Sequence, residues 1–320
     1  MSRRFGAVVA AAMVALAGCD ATVKSETSKA TTVSLTPQPT LEVTGEKPQG
    51  RFYAVVGDES GQDGQLYELR FSPPGLGLLA AAKRVSSVGA CSGHIAVAAG
   101  QQEVGYTDHL QELRDGQLVP LDGRGPIQAF SPRLAGDCRV AYTVVDRAAA
   151  PLVGELRIWD PNSKTGKTLY RGKPGDGPLA TTDWGPGGAA AVVRLRADQA
   201  GAVTPGNAAH PPAVVVARPD GTTSEVALSG DPGLFTWGDR WMAVMDEAQQ
   251  ATMFIDPATN QRQVLRDWRP VVWSPDGERL LVKDAKSRMT LALVDASNPT
   301  SVKEIGRLSR PLLDADWLPE

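Results

Sequence analysis

The stretch Val272-Trp273-Ser274-Pro275-Asp276-Gly277-Glu278-Arg279-Leu280-Leu281-Val282 decides the fold of this chain, because it holds two strands and the turn that joins them. An aromatic residue ends the first strand, and an apolar run forms the second. In the turn, proline presets φ, aspartate can bond back to the backbone and glycine accepts a positive φ. The stretch therefore predicts a tight turn between two antiparallel strands.

Weaker copies of this unit recur along the chain, each with an anchor residue before a turn and an apolar strand after it. A degenerate copy runs from Ser87 to Ala98, and the anchors of the others are Phe130, Trp184, Trp237, Trp273 and Trp317. Successive anchors are 36 to 54 residues apart. This spacing brackets the period of ~40–50 residues that is typical of propeller blades.

A second element, a hairpin of two apolar strands around a polar turn, accompanies each anchor strand. The six hairpins begin near Leu66, Leu110, Leu156, Val214, Thr252 and Thr290. Together with six anchor strands they predict six four-stranded antiparallel blades. A ring protects its edges only if its last blade pairs with its first, so we expect the strand Leu313 to Leu318 to complete the blade that Phe52 begins.

The motif Trp-Ser-Pro-Asp-Gly at 273–277 resembles the TolB-type, WD40-like propeller repeat, with one close copy and several diverged ones. The resemblance covers residues 51–320 and implies an all-β, six-bladed β-propeller closed by its C-terminal strand. TolB-like relatives are interaction proteins, which favours a binding module, although propellers host unrelated activities.

The N-terminal segment has the three parts of an export signal. Arg3 and Arg4 are followed by an apolar run and then by Leu16-Ala17-Gly18-Cys19. The block resembles the signal and lipobox of a bacterial lipoprotein, and we expect an actinobacterial one. The resemblance implies a diacylglycerol on Cys19. The apolar run of about 13 residues is short for a membrane span, which takes ~20, and the export route, Sec or twin-arginine, stays open.

We therefore expect three regions in the chain. Residues 1–18 are a signal peptide, residues 19–50 are a lipidated cysteine with a flexible tether, and residues 51–320 are the propeller. The segment from Asp20 to Gly50 is rich in Thr, Ser, Lys and Pro. It has too few apolar residues to offset the entropy of ordering.

Composition limits the partners. The chain is 42% hydrophobic and 22% charged, with a formal net charge of -3 and no basic stretch, so we expect no nucleic acid. The expected partners are the membrane, through the lipid anchor, and another envelope protein or a small envelope ligand. The expected location is the extracytoplasmic side of the cell membrane.

Two cysteines remain once Cys19 carries the lipid. Cys91 and Cys138 are an even pair, 47 residues or about one blade apart. In an oxidising compartment such a pair predicts a disulfide. The alternatives are two buried free thiols or a metal site, and the metal site is weakest because no Cys-x-x-Cys or histidine pair is near.

Three short segments are candidates for chemistry, and each has a simpler interpretation. The segment Gly89–Gly93 has the outline of a nucleophile elbow, but a strand follows it where a helix is required. The segment Asn162–Thr168 contains Gly-Lys-Thr, but Pro161 stands where a phosphate loop needs glycine. The segment Asp58–Gly64 is acidic, but it lacks the spacing of a calcium-binding EF-hand loop.

Isolated histidines and tryptophans add no defined site. The histidines are scattered and are interpreted as structural or solvated; they are His94, His109 and His210. Three tryptophans fall outside the repeat position, and any of them could face a ligand; they are Trp159, Trp241 and Trp268. The sequence predicts no catalytic, cofactor-binding or metal-binding residue and no cofactor.

The expected function is a non-catalytic protein-binding or ligand-binding module at the cell envelope. One alternative is a calcium-dependent envelope hydrolase or lactonase-like enzyme, with carboxylates converging in the central channel. Another is a sensor accessory that binds a small envelope ligand. Converging carboxylates and amides would favour the enzyme, and an open apolar face would favour a protein partner.

Overall fold

The computed structural model describes residues 37–58, 63–100, 108–121, 129–146, 153–173, 176–196 and 210–320. The chain divides into two units, Met1–Gln38 and Pro39–Glu320. The predicted signal peptide, Cys19 and most of the predicted tether lie outside the described residues. The described part contains no helix that is both long and apolar enough to cross a membrane.

The described part of the second unit is all-β, apart from one turn of 3₁₀ helix at Pro186–Gly188. Short apolar and β-branched runs between turn residues account for this. The strands are β1 (Leu41–Val43), β2 (Arg51–Val56), β3 (Gly64–Phe71), β4 (Pro74–Cys91), β5 (His94–Gly100), β6 (Asp108–Arg114), β7 (Gln117–Pro120), β8 (Ala129–Leu134), β9 (Val140–Asp146), β10 (Val153–Asp160), β11 (Thr165–Arg171), β12 (Leu179–Trp184), β13 (Ala190–Arg194), β14 (Ala213–Ala217), β15 (Thr223–Ala227), β16 (Pro232–Trp237), β17 (Met242–Asp246), β18 (Ala251–Ile255), β19 (Arg262–Arg266), β20 (Trp268–Trp273), β21 (Arg279–Asp284), β22 (Thr290–Asp295), β23 (Val302–Leu308) and β24 (Leu312–Leu318).

Neighbouring strands pair antiparallel into four-stranded sheets. Three sheets run in sequence order, β8 to β11, β12 to β15 and β16 to β19, and β20 to β23 form a fourth that gains β1 at its edge. The remaining sheet has the order β24-β2-β3-β4-β5-β6-β7. Its long strand β4 pairs with β3 through its first part and with β5 through its second. This sheet therefore consists of two four-stranded units that share β4.

The C-terminal strand pairs where the sequence predicted. Strand β24 lies antiparallel to β2, with Phe52 opposite Trp317 and Tyr53 opposite Asp316. The first strands of successive sheets also contact one another, β4 with β8, β8 with β12, β12 with β16, and β16 with β20. Strand β24 in turn contacts both β20 and β4.

The described end of the predicted tether is not free chain. Leu41 is buried and lies opposite Leu308 of β23. The backbone N–H of Thr40 donates to Ser309 Oγ at 2.8 Å. Because Leu41 and Val43 turn apolar side chains to the same face of a short strand, this segment adds to the edge of a sheet. The folded part therefore begins before Arg51.

The turn at 273–277 has the predicted geometry. Gly277 adopts a φ of 68°, and its N–H donates to the Ser274 carbonyl at 2.8 Å. The Ser274 hydroxyl lies 2.5 Å from Asp276 Oδ1. The hydrogen bond from Ser274 N–H to the Arg279 carbonyl, 2.6 Å long, joins the two sides of the turn.

The repeated tryptophans pack between neighbouring sheets. The Trp237 ring lies against Gly185, where an added Cβ would come within 2.2 Å of the ring. In the same way, the Trp273 ring lies within 2.7 Å of a Cβ built on Gly238. Each of these two tryptophans therefore covers the glycine that follows the tryptophan of the preceding repeat.

Candidate functional site

The structure joins Cys91 and Cys138 by a disulfide, with their Cα atoms 5.5 Å apart. Cys91 ends β4, and Cys138 lies in the turn between β8 and β9. The bond therefore links two neighbouring sheets. The segment Gly89–Gly93 is the end of β4 and its turn into β5, with Gly93 at a φ of 84°, so it is not a strand-to-helix elbow.

The other candidate segments and the histidines lie in turns or strands of the fold, as far as they belong to the described residues. The segment Asn162–Thr168 forms the turn between β10 and β11 and the first residues of β11. Residues 59–62 of the acidic segment lie outside the described residues. His94 Nδ1 lies 2.8 Å from Glu112 Oε1, and His210 Nδ1 lies 2.7 Å from Asp176 Oδ1. His109 lies in β6.

Two of the three tryptophans outside the repeat position belong to the core. Trp159 and Trp241 are buried, and Trp241 Nε1 donates to the Ala296 carbonyl at 2.9 Å. Trp268 is partly buried and packs against the same apolar cluster as Trp241. Tertiary packing therefore accounts for these rings.

The first strands of the sheets bring together charged side chains that the sequence analysis did not single out. Arg133 on β8 and Asp314 on β24 form a buried ion pair, with Nη1 2.8 Å from Oδ2 and Nη2 2.7 Å from Oδ1. Arg133 Nη1 also donates to the Val88 carbonyl, and the Val88 N–H donates to Asp314 Oδ2 at 3.0 Å. The pair therefore ties β4, β8 and β24 together.

Two further carboxylates lie near Arg133, and each stands directly before a repeated tryptophan in the sequence. Together with Asp314, these groups are called the inner carboxylates. Asp183 accepts from the Trp184 N–H at 2.8 Å, the Thr236 hydroxyl at 2.6 Å and the Trp237 N–H at 2.8 Å. Asp316 accepts from the Trp317 N–H at 2.8 Å and the Ala90 N–H at 2.6 Å. Each carboxylate thus bonds to its own strand and to a second strand, which lies in the next sheet for Asp183 and in the same seven-stranded sheet for Asp316.

Burial changes the acidity of both groups. Loss of hydration raises the pKa of Asp316 to about 6, and the nearby Asp183 carboxylate adds to this rise. Burial also raises the pKa of Asp183, although the positive charge of Arg133 acts in the opposite direction. Such raised carboxyl pKa values occur both at active sites and in structural networks.

Two cavities lie at opposite ends of the strands β12, β16, β20 and β24. The first, here called the tryptophan-side cavity, has a volume of about 260 Å³. Its lining includes Asp183, Trp184, Trp237, Trp273 and Asp316. The Nε1 atoms of Trp237 and Trp273 are buried without a hydrogen-bond partner.

The second cavity, here called the lysine-side cavity, has a volume of about 390 Å³. Its charged lining residues are Glu247, Arg269, Lys283 and Arg288. Lys283 is 2% exposed, and burial lowers its pKa to about 7. Within the described ranges, no three His, Cys, Asp or Glu side chains are grouped so that they could hold a metal ion.

No protein-family model and no curated protein matches the chain. Among solved structures, the crystal structure of TolB from Acinetobacter baumannii aligns with a TM-score of 0.62 and 14% identity, covering 85% of this chain and 67% of that chain. The fold is a TolB-like β-propeller. At this identity the likeness concerns the fold alone.

Two other solved structures align less closely. One is a protein of unknown function from Bacteroides caccae, with a TM-score of 0.49, 11% identity and coverage of 85% of this chain and 100% of that chain. The other is the periplasmic gluconolactonase PpgL of Pseudomonas aeruginosa, with a TM-score of 0.49, 14% identity and coverage of 84% and 99%.

Proposed function

We propose that this TolB-like propeller is a non-catalytic binding module of the cell envelope, which takes a partner protein or a small ligand. The supporting observation is that the inner carboxylates are already engaged by the protein itself. Every side-chain oxygen of Asp183, Asp314 and Asp316 accepts a hydrogen bond from a backbone N–H, a hydroxyl or a guanidinium.

This saturation favours a structural role over catalysis. A general acid or base must reach the proton that it transfers, and a calcium site needs several free oxygen ligands. The Thr236 and Trp237 donors to Asp183 come from a neighbouring sheet, and the Ala90 donor to Asp316 comes from β4 of the same seven-stranded sheet. The carboxylates therefore serve to hold the first strands together, and the cavities beside them are left for binding.

The proposal includes a ring of six blades closed by β24. The support is the pairing of β24 with β2 and the succession of contacts from β4 through β8, β12, β16 and β20 to β24 and back to β4. Such a ring leaves only short edges exposed. It also places both cavities at the ends of the strands that surround the ring axis.

The proposal also includes a lipid anchor on Cys19, facing an oxidising compartment. The disulfide between Cys91 and Cys138 fits such a compartment. A Cys19→Ala variant should then leave the membrane fraction and appear among soluble proteins. If this variant stayed with the membranes after a high-salt wash, the anchor would be wrong.

The competing function is a calcium-dependent hydrolase or lactonase-like enzyme. One observation favours it: Asp316, with a pKa raised to about 6, lines the tryptophan-side cavity together with Asp183. A carboxyl group that titrates near neutral pH can act as a general acid. The engagement of its oxygens by Trp317 and Ala90 weighs against that role.

Site-specific photocrosslinking in native membranes tests the binding proposal. A crosslinking residue at Leu234 reports on the lysine-side cavity and one at Pro186 on the tryptophan-side cavity, whereas Val264, 47% exposed on β19, is the control. We expect one defined adduct, of protein or small molecule, from a cavity position and not from Val264. Equal labelling from all three positions, or stoichiometric calcium bound together with ester turnover, would overturn the proposal.

A further inference from the structure

The lysine-side cavity carries positive charge that the protein does not neutralise. Arg269 Nη1 is paired with Glu247 Oε1 at 2.7 Å. No anionic side chain among the described residues forms a salt bridge with Lys283 or Arg288, which also line the cavity. Lys283 and Arg288 therefore line the same cavity as a single carboxylate, Glu247, which is already paired with Arg269.

Lys283 is the more unusual of the two cations. Its side chain is buried on β21, and its Nζ donates to the Leu313 carbonyl at 2.5 Å. An ammonium group has three donors, and no second acceptor for Lys283 occurs among the described residues. Burial lowers its pKa, and the positive charges of Arg288 and Arg269 lower it further, which opposes the effect of Asp314. An anion in the cavity would relieve this repulsion.

The rest of the cavity wall is largely aliphatic. The apolar side chains that line it are Ala180, Leu195, Pro232, Leu234 and Leu313. Its volume of about 390 Å³ lies in the range of small-molecule sites, ~300–1,000 Å³. A small inorganic ion would leave this apolar surface uncovered, whereas an organic anion would satisfy both parts of the wall.

We propose that the lysine-side cavity binds a small organic anion, with a carboxylate or phosphate group at Lys283 and Arg288 and a short aliphatic body against Leu234 and Leu313. The proposal rests on the binding function argued above and names the class of ligand. Lys283 supplies a donor at the base of the cavity, and Arg288 supplies a second, partly exposed donor beside it.

Titration calorimetry on the full-length protein in detergent, with a detergent blank, tests this proposal. The probes are hexanoate and hexyl phosphate, with hexanol as the neutral analogue and inorganic phosphate as the anion without an aliphatic body. We expect one molecule of hexanoate or hexyl phosphate per chain and much weaker binding of hexanol and inorganic phosphate. Equal binding of hexanol, or tighter binding of inorganic phosphate, would overturn the proposal.

Variants locate the site. Arg288→Gln should weaken hexanoate binding by about tenfold or more, since a charge-assisted hydrogen bond is lost. Arg139→Gln removes an arginine that stacks on Trp184 away from this cavity and should leave the affinity unchanged. If Arg288→Gln bound hexanoate as tightly as the wild type, the assignment would fail. Lys283→Met should lose binding, and a circular dichroism spectrum would show whether that variant folds.

The outcomes separate this proposal from the proposed function. Lactone turnover by the wild type would contradict the non-catalytic function and would leave the anion titration intact. Absence of hexanoate and hexyl phosphate binding at millimolar concentration would contradict the anion site, while crosslinking to a protein partner would still support the binding function.

Discussion

Arg133 and Asp314 are 181 residues apart in the sequence and form a bidentate ion pair in which both side chains are buried. The pair lies between β8 and β24, and both residues also bond to the backbone of Val88 on β4. Three inner strands thus meet at one charged contact.

Removing one member of this pair should destabilise the protein strongly. Asp314→Leu leaves the Arg133 guanidinium buried without its partner, and breaking a buried pair in this way costs ~3–5 kcal/mol. Replacing both residues, as Arg133→Met with Asp314→Leu, should cost less than the single change. Urea unfolding of the wild type, Asp314→Leu, Arg133→Met and the double variant measures the coupling energy.

The exposed pair of Lys303 and Asp295, 3.3 Å apart, is the matched control. Because water screens such a pair, Lys303→Met should change the free energy of unfolding by at most ~1 kcal/mol. A loss for Asp314→Leu as small as that of the control would contradict the structural role of the buried pair.

Asp316 should make stability fall as the pH rises. Its pKa is about 6 in the folded protein, against 3.8 in a solvated chain, so the folded state holds the proton more tightly. The resulting stabilisation is present below about pH 4 and is lost as the pH rises to about 6. The two-unit shift corresponds to ~3 kcal/mol by linkage.

The variant Asp316→Asn isolates this effect, because an amide does not titrate. Relative to the wild type, its free energy of unfolding should increase by up to ~3 kcal/mol between pH 4 and pH 7, because only the wild type loses stability over this range. Carboxyl groups with lowered pKa values, such as those of Asp176 and Asp284, lose stabilisation only below pH 4. A difference between variant and wild type that stays constant across this range would show that Asp316 ionises normally.

The contact between Trp237 and Gly185 should tolerate no added methyl group. In Gly185→Ala the new Cβ would overlap the Trp237 ring, and overpacking of this kind costs ~1–3 kcal/mol. Gly136→Ala is the control, since nothing lies within 4 Å of a Cβ at that position. Thermal unfolding and the near-ultraviolet circular dichroism of the tryptophans measure both variants. Equal stability of the two variants would refute the packing assignment.

Loss of the disulfide should lower stability without changing the fold. The bond closes a loop with a sequence separation of 47, and a bridge of this kind contributes ~2–4 kcal/mol. The variant Cys91→Ala with Cys138→Ala should unfold at lower urea concentration and should be insensitive to reductant, unlike the wild type. Free thiols at Cys91 and Cys138 in the denatured, unreduced protein would mean that the bond is absent.

Local features of the fold could be predicted because their causes lie within a few residues. The turn at 273–277 follows from proline, aspartate and glycine in order, and the repeated tryptophans mark the ends of inner strands. The strand Leu41–Val43 was missed because it is three residues long and its partner β23 lies more than 250 residues later. Nothing near Leu41 in the sequence indicates that pairing.

The inner charges could not be predicted because separate sheets assemble them. Arg133 follows a proline in a diverged repeat, and Asp183 and Asp316 read as strand residues before an anchor tryptophan. Lys283 follows the apolar run Leu280 to Val282 and resembles the solvated end of a strand. The spacing of Asp314 and Asp316 does indicate that they share a face, because side chains two residues apart in a strand point to the same side.

The claim that the protein is not an enzyme is tested most directly by a hydrolysis assay on the full-length protein with ester and lactone substrates, with and without added calcium. We expect no turnover above the rate without protein, because the oxygens of Asp183 and Asp316 are held by Thr236, Trp237, Ala90 and Trp317. Calcium-dependent turnover that Asp316→Asn abolishes, while this variant remains folded, would contradict a non-catalytic function.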